Sequence, residues 1–245
     1  MKKCAGIGLL ALFFVFSALT YASGFRVPER LVYDLTWAGI KTGTATLEVS
    51  SENEITRIVS TARSADWISI FYTVDDKIEA ELSMPGPRAV IGAPRNYRVR
   101  IREGKHKRNK EVVFDGANHK ASFTDHLTGE KKDIEIRDNT FDPLSSFYYI
   151  RTLKAEVGKS VYVDVLDSKK LWNVEVRVIR KEKIGTKVGN FDTIVIKPLL
   201  KSEGIFNKRG DMYIWLTDDE KRVPVKMQTK VAVGRVTATL MGGTY

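Results

Sequence analysis

The sequence predicts a mainly β protein: one large curved antiparallel sheet, or a half-open barrel, with a short helix at about 142–151 packed in or beside its concave face. Three observations predict it. Apolar and polar residues alternate with period two through most of the chain, the rhythm of strands with one dry and one wet face. Turn-forming Gly and Asx residues separate the alternating runs at short intervals. One segment, lying between two β-rich stretches, switches to helical spacing.

Taken in order, Leu31, Tyr33, Leu35 and Trp37 fall on one face of a first strand, and Gly39 marks the bend after it. Ala45, Leu47 and Val49 continue on a second strand, with Thr44, Thr46, Glu48 and Ser50 opposite. Ser64 to Tyr72 carries Trp67, Ile68, Ile70 and Phe71 without clean periodicity and reads as a loop or a weak helix. Alternation resumes at Val74, Ile78, Ala80 and Leu82, then at Tyr97, Val99 and Ile101, whose opposite face holds Arg98, Arg100 and Arg102. A polar turn from Glu103 to Lys110 leads to Val112 and Phe114. Asp115-Gly116, Thr128-Gly129 and Asp167-Ser168-Lys169 mark further turns, with Ala121, Phe123, Ile134 and Ile136, and later Val161 to Val165, on the strands between. The C-terminal third alternates over 172–178, 191–196, 212–216, 225–233 and 236–240, and Gly234 fits a bulge or bend. The helix begins at Asp142 as N-cap with Pro143 at the first helical position, and it sets Leu144, Phe147 and Ile150 on one face. Long one-sided strands must cover their dry face, and wrapping around this helix does so while leaving room for an apolar pocket.

Residues 1–22 have a secretory design: Lys2 and Lys3, an apolar stretch from Gly6 to Ala18, and small residues at Thr20 and Ala22. Cleavage before Ser23 is expected, with cleavage after Gly24 as the alternative and an uncleaved anchor as the competing reading. Residues 23–245 then form a single antiparallel β domain in the periplasm or beyond. The lone Cys4 precedes the apolar stretch, so the protein is not a lipoprotein and its mature form has no thiol. That excludes cysteine nucleophiles, thiolate zinc sites and iron–sulfur clusters. Net charge is +10 for the full chain and falls to +8 without Lys2 and Lys3. In an envelope the polyanions that such charge meets are phospholipid head groups, lipopolysaccharide and acidic glycans.

Three stretches together resemble the domain-of-unknown-function family numbered 3108, a family of exported bacterial envelope proteins. They are Glu29 to Trp37 with Gly39 to Ala45, the helix motif Phe141 to Tyr149, and the hairpin Trp215 to Val225. The resemblance implies export, a mostly antiparallel β fold and no assigned activity. The hairpin is also similar, more loosely, to one in periplasmic carriers of lipids and lipoproteins.

No catalytic motif is present. His106, His119 and His126 sit in polar turns without metal-ligand spacing, and no metal or cofactor is expected. Asp218, Asp219 and Glu220 read as turn residues more readily than as a glycosidase pair, with Arg222 pairing to one of them and Pro224 starting the next strand. Trp37, Tyr148, Tyr149 and Trp215 are the candidate ligand-binding aromatics, against the competing reading that each is core. Arg98, Arg100, Arg102, Lys105, Lys107 and Arg108, with Arg95 and Lys110, are candidates for an anionic surface, against the reading of a solvated strand face. No aromatics interleave with that row, so single-stranded nucleic acid is not the expected partner. The leading expectation is a non-catalytic envelope binding protein for a lipid-like or glycolipid ligand. An enzyme or enzyme accessory acting on envelope polysaccharide, and an adaptor that pairs with an unidentified protein through an edge strand, are the alternatives.

Overall fold

The computed structural model of the chain describes residues 25–85, 91–199, 211–231 and 233–245. The expected leader 1–22, Cys4 and the cleavage site before Ser23 lie outside them. The elements are β1 (Glu29–Trp37), β2 (Ile40–Glu52), β3 (Ile55–Ser64), α1 (Asp66–Ser69), β4 (Asp75–Ser83), β5 (Pro94–Glu103), β6 (His106–Asp115), β7 (Lys120–Asp125), β8 (Lys131–Glu135), α2 (Pro143–Thr152), β9 (Ser160–Asp167), β10 (Lys170–Thr186), β11 (Gly189–Leu199), β12 (Met212–Thr217), β13 (Pro224–Lys230) and β14 (Arg235–Thr244).

All the strands join one 14-stranded sheet in the order β8-β7-β6-β5-β4-β3-β2-β1-β14-β13-β12-β11-β10-β9. Every ladder is antiparallel, so the chain runs as an up-and-down meander whose first and last strands pair, Leu31 opposite Gly243 and Leu35 opposite Ala238. The two free edges, β8 and β9, are consecutive along the chain and flank α2. They are clipped together and not hydrogen-bonded as strands: Phe141 forms a parallel bridge to Val165, and Lys169 bonds Glu130 at 2.9 and 3.0 Å. The result is a curved, unclosed sheet around one helix, as the sequence predicts.

Alternation places Leu31, Tyr33, Leu47, Val49, Ile58, Leu82, Tyr97, Val99, Val112 and Phe123 in the core from one arm, and Val163, Val165, Val174, Val176 and Ile214 from the other. A strand alternates two faces, so the sheet can bury one face while its other meets water. Gly43 shows how closely the strands approach: a Cβ there would stand 2.2 Å from the Arg63 carbonyl oxygen.

Turn positions define two ends. The β1–β2, β3–β4, β5–β6, β7–β8, β9–β10 and β13–β14 connections lie at one, called the mouth below. The β2–β3, β6–β7 and β12–β13 connections lie at the other, the base. Helix α2 runs from near the mouth to the base. Two sequence expectations change in detail. The weak helix over Ser64 to Tyr72 contracts to α1, whose neighbours Ile70 and Phe71 stay largely exposed and so add no burial that would extend it. The run 225–233 ends as a strand at Lys230, because the chain must reverse there; Gly234 takes φ +79°.

Candidate functional site

At its N-terminus α2 is capped as the sequence predicts. Asp142 accepts bonds from the backbone N–H groups of Leu144 (2.8 Å) and Ser145 (2.9 Å), and the Ser145 hydroxyl donates to its second oxygen. Burial pushes the Asp142 carboxyl up to about 6 against the pull of those donors.

At the C-terminal end Arg151 is fully buried and forms a two-pronged pair with Glu29 of β1, both contacts at 2.7 Å. Its remaining N–H groups donate to the carbonyls of Arg222 (3.0 Å) and Lys221 (3.1 Å) in the β12–β13 turn. The guanidinium lies 5.2 Å from the Phe25 ring and 4.9 Å from the Tyr148 ring. Asp219 shapes that turn by accepting from the N–H groups of Lys221 and Arg222, and Arg222 takes φ +48°. Asp218 pairs with Arg222 (3.2 Å), and the Pro224 carbonyl accepts from Tyr33 (2.8 Å). One buried charge thus ties the opening strand, the helix and the hairpin together at the base.

Toward the mouth the helix does not fill the sheet. A cleft of about 190 Å³ lies between Pro143, Leu144 and Phe147 of α2 and Tyr33, Ala45, Leu47, Ile78, Tyr97 and Met227 of the sheet. A second, of about 50 Å³, lies on the other side of Phe147, against Val165, Asp167, Trp172, Val174 and Pro198. Both are also walled by Met212 and Ile214. The walls are apolar with few polar groups, and three of these lack a hydrogen-bond partner among the described residues: Asp167 Oδ2, Trp172 Nε1 and the Tyr97 hydroxyl. Asp167 is only 6% exposed. Burial pushes the Tyr97 phenol well above its usual range, so it stays a hydroxyl. An apolar recess with a few converging, unsatisfied polar groups is the form that small-ligand sites take.

A family model described as "Protein of unknown function (DUF3108)" matches residues 32–241, nearly the whole sheet and the helix. The chain belongs to the DUF3108 family. Among solved structures it is similar to the crystal structure of a β-barrel-like protein of domain of unknown function DUF1849 from Brucella abortus, with 12% sequence identity and a TM-score of 0.57. The match covers 89% of this chain and 98% of that one, and it shows a shared fold. No curated protein matches the sequence.

In this DUF3108 chain the four aromatics singled out from sequence do not meet. Trp37 lies at the mouth, 44% exposed, donating from Nε1 to the Val233 carbonyl (2.7 Å). Tyr148 is buried at the base against Phe25 and Arg151, and Tyr149 stacks on Phe141 with centroids 4.6 Å apart. Trp215 is buried on the outer side of the sheet, because its neighbours Ile214 and Leu216 take the inner one. There it donates to Glu182 on the long β10–β11 hairpin and lies under Lys226. The period of two that places Ile214 at the cleft therefore removes Trp215 from it.

The arginine row is a ladder with acids: Arg98 pairs with Glu111 (3.1 Å) and Arg100 with Glu79 (3.0 Å). Arg102 contributes its backbone N–H to Asp76, whose carboxyl burial raises to about 6, and Arg108 donates to His106. Lys105 and Lys107 are exposed in and beside the β5–β6 turn. Among the described residues no group of His, Cys, Asp and Glu is placed to hold a metal, and no helix is long and apolar enough to cross a membrane. Sequence reasoning passed over Asp167, Trp172, Met212 and Met227 at the clefts. Asp167 read as a turn residue, and only the pairing of Val165 with Trp172 reveals that both polar groups face inward.

Proposed function

We propose that the protein is an exported, non-catalytic binding protein of the cell envelope whose ligand is amphipathic: one short apolar chain ending in a polar group. The paired clefts around Phe147 carry this reading. Their combined room is below the ~300–1,000 Å³ of drug-sized sites, so it suits a single chain better than a two-chain phospholipid. Trp172 lies opposite Val165, and Lys170 opposite Asp167, so Trp172 and Asp167 are diagonal neighbours on the inward face. In such a pair the residues lie about 7–8 Å apart at most, close enough for one ligand group to reach both side chains. A hydroxyl fits both, donating to the Asp167 carboxylate and accepting from the Trp172 indole.

Supporting a binding role over catalysis, Asp167 is the only carboxylate on the two cleft walls among the described residues, whereas glycoside hydrolysis uses two opposed ones. The Ser145 hydroxyl is turned onto its own helix cap and fully buried. His106, His119 and His126 all lie at turns or strand ends, away from the cleft walls.

Uptake of the apolar fluorophore N-phenyl-1-naphthylamine tests the reading. The wild-type protein should bind it, a hydroxylated single-chain lipid should displace it, and Ala45→Phe, which fills the larger cleft, should abolish uptake. Equal uptake by Ala45→Phe, or none by the wild type, would contradict it.

A further inference from the structure

The mouth of the sheet holds an accumulation of exposed apolar side chains. Of the fourteen large apolar residues exposed among the described residues, eight lie at mouth turns or the strand residues beside them. The β3–β4 loop supplies four: Trp67, Ile70, Phe71 and Tyr72, with Ile70 78% and Phe71 84% exposed. Trp37, Ile40 and Val233 stand together on the adjoining β1–β2 and β13–β14 turns, and Leu127 on the β7–β8 turn. A single exposed apolar residue is ordinary, but a contiguous group of this kind marks an interaction surface. Water alone would not hold Phe71 in place.

The loop is anchored, not adrift. Ala65 donates to the Thr42 carbonyl (2.8 Å), Gly104 donates to the Thr73 carbonyl (2.8 Å), and the Tyr72 ring lies against Gly104, 2.9 Å from where a Cβ would be. Those contacts set the apolar loop beside the turn that carries Lys105 and Lys107. Within two residues of the six mouth turns (36–41, 63–76, 102–107, 124–132, 166–171 and 229–236) stand eleven Lys and Arg against seven Asp and Glu, a net +4. The described residues as a whole carry +5, which is the chain's +10 less the leader's two lysines and a net +3 at residues 86–90 and 200–210. Of the +5 that the described residues carry, +4 therefore stands at these six turns.

We infer that the mouth docks on an anionic phospholipid bilayer, with Ile70 and Phe71 inserted among the head groups, Trp67 and Tyr72 at the interface, and Lys105 and Lys107 against lipid phosphates. Indole and phenol rings favour that interface, and apolar insertion combined with basic residues is how proteins lie on anionic membranes. The smaller cleft, with the proposed polar site, lies at the same end: Met212 begins β12, Asp167 ends β9, and Trp172 is the third residue of β10. Docking there brings the proposed ligand site to the membrane. The docking surface rests on exposure and charge alone, so it stands or falls separately from the cleft reading.

Co-sedimentation of the full mature chain with vesicles of phosphatidylcholine, with and without phosphatidylglycerol, tests it. The wild type should bind the phosphatidylglycerol vesicles, and added salt should weaken binding. The pair Ile70→Ser and Phe71→Ser should lower binding about tenfold or more, and Lys105→Glu with Lys107→Glu should lower it about tenfold. Tyr162→Ser, which removes an exposed aromatic away from the mouth, should bind like the wild type, and circular dichroism should show all variants folded. Absence of binding to phosphatidylglycerol vesicles, as for a surface that meets only a protein, overturns the inference. So does binding that both mouth variants retain. Vesicle binding without fluorophore uptake would leave the docking surface standing and the cleft reading fallen.

Discussion

Arg151 is the residue on which the base of the molecule turns. Its guanidinium is buried with Glu29 and two carbonyls around it, so removing either partner leaves a charge in an apolar setting. Breaking such a pair costs roughly 3–5 kcal/mol, whereas replacing both members by apolar residues is often close to neutral. Arg151→Met and Glu29→Leu should each destabilise by that amount in urea unfolding, and the double variant should recover most of the loss; single effects under about 1 kcal/mol would contradict the role. Asp142 gives a pH signature. Its folded pKa of about 6 lies above the unfolded 3.8, so the folded state binds the extra proton. Stability from this group therefore falls as pH rises from about 4 to about 6, by up to about 3 kcal/mol. Asp142→Asn keeps an acceptor for the helix N–H groups but cannot ionise, and its stability relative to the wild type should improve across that window. A wild-type carboxyl that titrates near 4 by NMR would contradict this. Neither Arg151 nor Glu29 was legible as a pair, because their separation in sequence carries no periodic signal.

At the scale of elements, most of the fold was readable. Alternation located the strands, and Asp142-Pro143 located the start of α2, because both signals are local and set by backbone geometry. What alternation could not give was the far side of each strand. Trp215 reads as a candidate ligand-binding aromatic and is instead buried away from the clefts, in a core made by the β10–β11 hairpin folding over the outer face, a long-range event that leaves no local trace. The same limit hid the clefts, since Met212, Met227 and Phe147 look like any buried residue until the helix is placed. Gly43 offers a test of strand geometry. A Cβ at 2.2 Å from the Arg63 carbonyl forces β2 and β3 apart, so Gly43→Ala should lower the urea midpoint by the equivalent of about 1–3 kcal/mol. An unchanged midpoint would show that the approach is looser.

The whole molecule is a meander whose two edges are held together by a helix and a few clips, an arrangement that suits a partly filled interior. The base is tied by Arg151 and the far edges by Phe141 with Val165, while the mouth end keeps its clefts. A ligand that binds only the folded state raises stability by mass action, about 2.7 kcal/mol at a hundredfold excess over its Kd. Protein made with its leader intact should therefore melt higher before organic extraction than after it. The direct measurement of the central claim is native mass spectrometry of that exported protein. The account predicts a polypeptide beginning at Ser23 that carries one bound single-chain amphiphile, lost on organic extraction and absent from Ala45→Phe. A spectrum showing only the bare polypeptide, or the same adduct on Ala45→Phe, would contradict it.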